Sequence, residues 1–358
     1  MKRLFLLSLL MPAAPALAQV DAYLSSVRPP VQVSMMGIYE RYVDEDVAIS
    51  QFSVPLSVLI PLGNSVGIGL QTSPAAAGGD ALESLGGLSD ARLALSYYAR
   101  MGTSSIVASV TANLPSGRKG LTSAEFATSV LLSQNFYEFR VPTLGQGLNL
   151  APGLTWATPL SDDVVLGLGA AYHFRGGFEP LEDGVQYDPG DEILITGGLD
   201  AGLSEAWTVS GDLSFTYYGT DTVGDVERYR SGSKVATTLQ LARRSNQNEL
   251  RLLARYRTRA RGEVPLAGDF VTEEERTVPD HVLLHAGYRY TTNATAVTLF
   301  AQGRLFSETQ VYPSTRVADV GVLPEYALSA QWSLLTRFVY TLGDFSGFEG
   351  GIGLSARL

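Results

Sequence analysis

The chain contains no cysteine. That excludes a disulfide framework, a thiolate nucleophile and any metal site built on thiolates. Histidine is nearly absent as well: His173, His281 and His285 are the only three, too few for a His-rich metal centre. Lysine is limited to Lys2, Lys119 and Lys234, so the other 23 of the 26 basic residues are arginine. No 20-residue apolar run follows the first 18 positions, which excludes a conventional helical membrane protein although 45% of the 358 residues are hydrophobic. Charge is also scarce, at 17%. Glycine (37), tyrosine (17) and phenylalanine (14) are abundant instead, a composition that suits strands better than a helical bundle.

Residues 1–18 read as a secretory signal. Lys2 and Arg3 form the charged start, Leu4 to Leu10 the apolar core, and Ala16-Leu17-Ala18 the cleavage site. Gln19 follows, so this is not a lipoprotein signal. The mature chain would carry 24 basic and 36 acidic residues, a net charge of −12 that argues against a nucleic-acid partner. Residues 19–30 form a short N-terminal segment, and one continuous pattern fills 31–358.

That pattern is alternation with period two. In 163–174, Val164, Leu166, Leu168, Ala170, Tyr172 and Phe174 share one face, and smaller or polar residues the other. Residues 207–218 and 250–259 repeat it. Successive side chains of a strand point to opposite faces, so each segment has one greasy side. Sixteen such segments are expected, near 31–43, 46–60, 65–72, 89–100, 105–113, 147–158, 163–174, 193–203, 206–218, 234–243, 248–259, 281–290, 295–306, 317–328, 332–342 and 348–358. Short links such as 61–64 and 159–162 alternate with long ones at 73–88, 114–146, 175–192, 219–233, 260–280 and 307–316. Even strand number, unequal loop ends and aromatics near strand ends (Tyr97, Trp156, Tyr172, Phe174, Trp207, Tyr217, Tyr288, Tyr290, Trp332, Tyr340) define an all-β, transmembrane antiparallel β-barrel of about 16 strands, with a range of 12–18. A secreted sandwich or solenoid would also alternate, but sixteen apolar faces would overfill one core.

Residues 114–146 admit three readings. Thr122-Ser123-Ala124-Glu125 fits a capping box opening a short helix. Residues 126–133 and 135–141 also fit an extra hairpin, and the whole stretch fits a loop folded into the lumen.

The polar face is rich in arginine. If the greasy face meets lipid, Arg251, Arg255, Arg257 and Arg259 line the lumen on one strand, and Arg289, Arg304, Arg337 and Arg357 follow on later strands. Such a wall concentrates anions, unless the arginines pair with inward acids such as Asp200, Asp212, Glu325 and Glu349. The acidic stretches 179–192 and 269–276 lack calcium-loop spacing and read as solvated loops. One G-x-S-x-G match, Gly63 to Gly67, sits where a hairpin turn enters a strand, not before a helix, so it reads as turn chemistry. His281 and His285 lie about 13 Å apart on one strand face, which makes them a poor ligand pair. Gly350-Gly351-Ile352-Gly353 falls within the last strand and is not a phosphate loop. No catalytic residue, metal or cofactor is expected.

Three short motifs carry a resemblance. Gly87-Leu88-Ser89-Asp90 leads into an alternating strand, Leu114-Pro115-Ser116-Gly117 follows the next strand, and Leu144-Gly145-Gln146-Gly147 precedes another. Together they resemble the outer-membrane family named for the meta-pathway of phenol degradation. The resemblance implies a β-barrel channel for aromatic or other apolar compounds and assigns no binding residue. Two features depart from common barrel patterns. The chain ends in Leu358 rather than an aromatic residue, and Gln19 to Pro30 is too short for the N-terminal plug of fatty-acid transporters. The expectation is an exported outer-membrane channel whose partners are lipid and a small-molecule solute. The alternatives are a water-filled anion-favouring porin and a non-transport surface or structural barrel.

Overall fold

The computed structural model describes residues 30–358 apart from 45, 46, 81, 119, 135, 183, 267 and 268. The expected signal peptide, 1–18, lies outside the described residues, as does nearly all of 19–30.

Sixteen staves form the barrel wall. The first is β1 (Gln32–Asp44). The next three are each built from two strands in line: β2 (Val47–Ser53) with β3 (Leu56–Leu62), β4 (Val66–Thr72) with β5 (Pro74–Gly79), and β6 (Leu82–Leu88) with β7 (Ala91–Met101). Then come β8 (Ser104–Leu114), β9 (Asn149–Pro159) and β10 (Val164–Arg175). A two-residue strand outside the barrel, β11 (Tyr187–Asp188), precedes β12 (Glu192–Gly202) and β13 (Trp207–Tyr218). Two more outside strands, β14 (Thr220–Val223) and β15 (Val226–Arg230), precede β16 (Lys234–Arg244) and β17 (Asn248–Arg259). The outside pair β18 (Glu263–Leu266) and β19 (Asp269–Thr272) leads to the last five staves. These are β20 (His281–Thr291), β21 (Thr295–Phe306), β22 (Thr315–Ala327), β23 (Trp332–Gly343) and β24 (Ser346–Arg357).

Every stave pairs antiparallel with its neighbours, and β1 also pairs with β24 from Gln32 opposite Arg357 to Val43 opposite Ser346. The sheet therefore closes and leaves no free edge, the condition for strands to cross hydrocarbon. The greasy faces point outward. Leu168, Ile195, Leu213, Leu239, Leu284, Leu299, Val320 and Ile352 are all exposed, an apolar belt with no protein covering it. Nine of the ten strand-end aromatics are exposed on that surface. The tenth, Trp207, lies beneath the Arg243 guanidinium, 5.7 Å from its ring. This is a transmembrane β-barrel.

The short-turn end matches expectation. The G-x-S-x-G stretch forms the turn between β3 and β4, with Gly63 in the left-handed region at φ 70°. At the other end two expectations need correction. Residues 73–88, expected as a long loop, instead form β5 and β6, which extend two staves outward. Their composition (PAAAGG and LESLGGL) carries no clean alternation; pairing to β2 supplies the ladder that propensity does not. The long links 175–192, 219–233 and 260–280 are not plain solvated loops. They supply a five-stranded second sheet, in the order β11, β14, β15, β18, β19. Its polar ties use the acids of those links: Tyr187 Oη donates to Asp221 at 2.7 Å, and Arg230 pairs with Glu263 at 3.1 Å while stacking on Phe270.

Candidate functional site

The segment between β8 and β9 contacts the inner face of the wall. It contains one helix, α1 (Ser123–Leu132), with the expected capping box: the Glu125 amide donates to Thr122 Oγ1 and the Thr122 amide to Glu125 Oε2. Backbone donation by Thr122, together with Arg118 at 2.7 Å, holds the Glu125 carboxyl below its ordinary pKa. Thr128 is fully buried and bonds the Glu83 carbonyl on β6. The helix reading is therefore correct, the extra hairpin is not, and the segment also folds into the lumen.

After the helix the chain runs without strand pairing through Phe136-Tyr137-Glu138-Phe139-Arg140-Val141. Its aromatics anchor it to inward side chains of the wall. Phe136 packs edge-on to Phe306 (5.5 Å) and Tyr312 (5.2 Å), Tyr137 against Phe345 (5.0 Å), and Phe139 against Tyr42 (5.0 Å). Burial pushes the Tyr137 hydroxyl up to about 12. Polar clamps flank this cluster. The Gln51 amide, 1% exposed, takes both backbone polar groups of one residue, accepting from Val141 N at 2.9 Å and donating to Val141 O at 2.7 Å. The Arg140 guanidinium bonds Glu349 on β24, and the Arg140 amide donates to Glu40 on β1. Burial alone would lower the Arg140 pKa, but the Glu349 and Glu40 carboxylates outweigh it and raise it. Arg304, 1% exposed, holds Asp319 through two bonds of 2.9 Å and also donates to the Phe136 carbonyl.

A second junction holds the neck of the segment, and all three motifs of the family resemblance meet there. Asp90 accepts from the Gly117 amide (2.8 Å), the Gln146 amide (2.7 Å) and the Asn113 side chain (2.8 Å). The two arms of the neck pass so closely that a Cβ on Gly117 would sit 1.8 Å from the Leu144 carbonyl oxygen, and one on Gly145 2.2 Å from that of Arg118. Only glycine fits at either place.

The filled side of the lumen is therefore β1, β2, β5, β6, β21, β22 and β24. Inward polar residues there are buried: Glu40 1%, Ser53 0%, Asp319 5%, Glu349 6%. The opposite side differs. Thr196, Thr216, Tyr218 and Ala242 are buried there, but Asp200, Ser210, Asp212, Thr238, Gln240 and Leu253 retain partial exposure, and Arg255 is exposed.

The eight arginines singled out from the sequence fall into distinct settings. Arg251 pairs with Glu249 (2.8 Å), Arg289 with Glu325 (2.9 Å), Arg304 with Asp319 (2.9 Å) and Arg337 with Glu349. Arg255, Arg257 and Arg259 have no carboxylate within 4 Å among the described residues. Arg255 bonds Thr238 Oγ1 at 3.3 Å, and Arg259 bonds Tyr218 Oη at 3.0 Å while lying over that ring. Arg357 is exposed at the end of β24 and has no side-chain partner among the described residues. Of the acids considered as partners, Glu325 and Glu349 do pair with arginine; Asp200 and Asp212 form no ion pair among the described residues.

The histidines do not meet. His281 stacks on Phe306 (4.4 Å), His285 on Phe300 (5.6 Å), and His173 lies 3.7 Å from Glu192. No group of three or more potential metal ligands occurs among the described residues.

The anchors of the lumen segment went unnoticed in the sequence. Three aromatics within four residues, in a stretch that pairs with nothing, were the available signal.

No protein-family model matches the chain, and no curated protein matches it in sequence. Among solved structures it is similar to the CymD monoaromatic hydrocarbon channel, at 12% identity and a TM-score of 0.47 over 92% of this chain and 89% of that one. It is also similar to an outer membrane channel from Pseudomonas putida F1, at 9% identity and a TM-score of 0.40 over 94% and 98%. CdiB from Acinetobacter baumannii gives 9% identity and a TM-score of 0.49 over 90% of this chain and 60% of that one. All three fall below a TM-score of 0.5, so the lumen geometry has to carry the functional reading.

Proposed function

We propose that this chain is a passive outer-membrane channel for small molecules, exported through a signal peptide at residues 1–18 that is cleaved. The long-loop end and second sheet face outward, and both barrel termini lie on the periplasmic side. One observation carries this reading: the lumen is packed on one side by a segment held by clamps, and solvated on the other. A purely structural barrel needs no solvated wall. A standing wide pore needs no packed segment. The combination suits a path along β12 to β17 whose width residues 117–146 set. The reading assigns no catalytic residue. A role for aromatic or apolar solutes rests on the motif resemblance alone.

The test is conductance of the refolded chain in planar bilayers, with and without residues 120–143 replaced by a short Gly-Ser linker. Small or absent steps in the full chain should become large ohmic steps in the deleted one, provided both show the heat-modifiable migration of a folded barrel. Equal conductance in the two would remove the segment from the path. The second reading, an anion-favouring pore, is supported by the three arginines without carboxylates; cation preference in a salt gradient would overturn it.

A further inference from the structure

We propose that the solvated wall holds a binding site for the carboxylate of a small solute with an apolar body, and that Glu138 of the lumen segment competes for that site. The inference rests on the channel reading and specifies its substrate class.

The cations are placed by register. Arg255 and Arg257 sit on β17 opposite Leu283 and His281 of β20, and Arg259 sits opposite Lys234 of β16. All six side chains point inward with Leu253, away from the exposed Leu252 and Tyr256. Lys234 likewise has no carboxylate within 4 Å among the described residues, and its ammonium lies 5.8 Å over the Tyr218 ring. Four positive groups thus share one patch. Glu192 on β12 lies within electrostatic reach of Lys234, and the wall acid nearest Arg255 by register is Asp212. It lies two strands from Arg255, with Thr238 between them, roughly 10 Å away at ordinary strand spacing. Clustering uncompensated cations in a confined lumen is unfavourable unless an anion is present for part of the time.

Further observations point to a ligand. His281 is 6% exposed and, among the described residues, neither its Nε2 nor the buried Arg259 Nε has a hydrogen-bond partner. Both are polar atoms left over once the protein's own bonds are counted, and buried polar atoms are normally paired. Leu253 and Leu283 lie between the charged positions, and the His281–Phe306 stack closes one side. Guanidinium groups pair planar carboxylates through two parallel bonds, and the flanking apolar surface suits a ring or chain attached to that carboxylate.

Glu138 shows how the protein handles the same chemistry. It has φ 57°, a left-handed conformation that a residue with a Cβ rarely adopts. From there its carboxylate reaches toward the wall, 3.6 Å from the Arg304 guanidinium and 3.5 Å from the Gln302 amide, within electrostatic reach of Arg257. These contacts are long, and its side chain is 42% exposed. Arg304 is already satisfied by Asp319, so Glu138 is a loosely held carboxylate at the rim of a cationic patch. An incoming carboxylate would meet Arg257 directly and take over the longer-range attraction that Glu138 exerts on it.

The test separates this site from the channel reading by measuring binding and flux independently. Benzoate and its neutral counterpart benzamide are the probes. Binding is followed by calorimetry on the full refolded chain in detergent, and flux by uptake into liposomes. Benzoate should bind at least tenfold more tightly than benzamide. R255Q and R257Q together should abolish that difference, and E138Q should strengthen benzoate binding several-fold. R255Q alone, at an exposed side chain bonded only to Thr238, gives a variant that keeps the fold if the pair does not, and should reduce the difference at least threefold. Equal binding of the two probes, or a benzoate preference that survives R255Q and the double variant, overturns the site. Unchanged benzoate binding in E138Q overturns the competing role of Glu138. Benzoate binding without flux of either probe would uphold the site and sink the channel; benzamide flux without a benzoate preference would do the reverse.

Discussion

Asp90 shows how much one carboxylate can organise. It lies where β6 gives way to β7, and its two oxygens take three donors from three separate stretches of chain. Hydrogen bonds to a charged group contribute about 1.5–3 kcal/mol each. Asparagine at the same place keeps one acceptor oxygen and turns an amide group toward a donor. Asp90→Asn should therefore loosen the neck by about 2 kcal/mol, which is more than tenfold in its opening equilibrium. Limited trypsin digestion of the folded barrel reads this out, because Arg118 and Arg140 flank the lumen segment. Cleavage at either should accelerate about tenfold in the variant. A rate equal to the parent's would mean that the glycine crossing alone closes the neck.

A second residue-scale effect depends on pH. The folded pKa of Glu125 lies below its ordinary value of 4.5, chiefly because the Thr122 amide donates to it, with Arg118 adding to the effect. A depressed carboxyl stabilises the fold above its unfolded pKa, and that contribution is lost as pH falls through the folded value. Protection of the segment from a protease active in acid should therefore weaken below about pH 4.5. Glu125→Gln should show weaker protection at neutral pH and a flatter acid profile. An acid profile identical to the parent's would place the pH sensitivity on other carboxylates.

At the scale of elements, the staves and the capping box were legible because each rests on a local pattern. Period-two alternation depends on the strand alone, and Thr122 with Glu125 needs only four consecutive residues. The split staves were not legible. Ser73 and Ser89–Asp90 interrupt the ladder where Ser73 N donates to Ser89 Oγ at 2.9 Å, a contact between neighbouring staves that neither stretch announces. The second sheet was missed because strands of two to five residues give no period to read. The lumen segment was one of three open readings, since its course is fixed by partners such as Gln51, Glu349 and Phe345, which lie 90 or more residues away. The arginine wall illustrates the same limit. Alternation gave the shared face, but which arginines keep a carboxylate depends on cross-strand pairs such as Arg289 with Glu325. The motifs of the family resemblance acquire a physical meaning only in three dimensions, as the parts of the Asp90 junction.

For the whole molecule, the outward belt decides whether the barrel sits in a bilayer at all. On β13 the belt runs from Trp207 at the short-turn end to Tyr217 at the long-loop end, with Leu213 about midway and more than half exposed. Nothing among the described residues covers Leu213; its neighbours on the flanking staves are Gly197 and Thr237. If lipid is its solvent, arginine there costs about 2–4 kcal/mol at the bilayer midplane and far less near either interface. Leu213→Arg should lower the urea midpoint of folding into phosphatidylcholine vesicles, while arginine at Tyr217, near the rim, should cost less than half as much. In detergent micelles, where the head can reach water more easily, the gap between the two should shrink. The depth dependence is the decisive part. A barrel wrapped by another protein would penalise both positions according to local packing, whereas a bilayer penalises them according to height along the stave. Equal losses at Leu213 and Tyr217 in vesicles would contradict the membrane placement on which the channel, the segment inside it and the carboxylate site all depend.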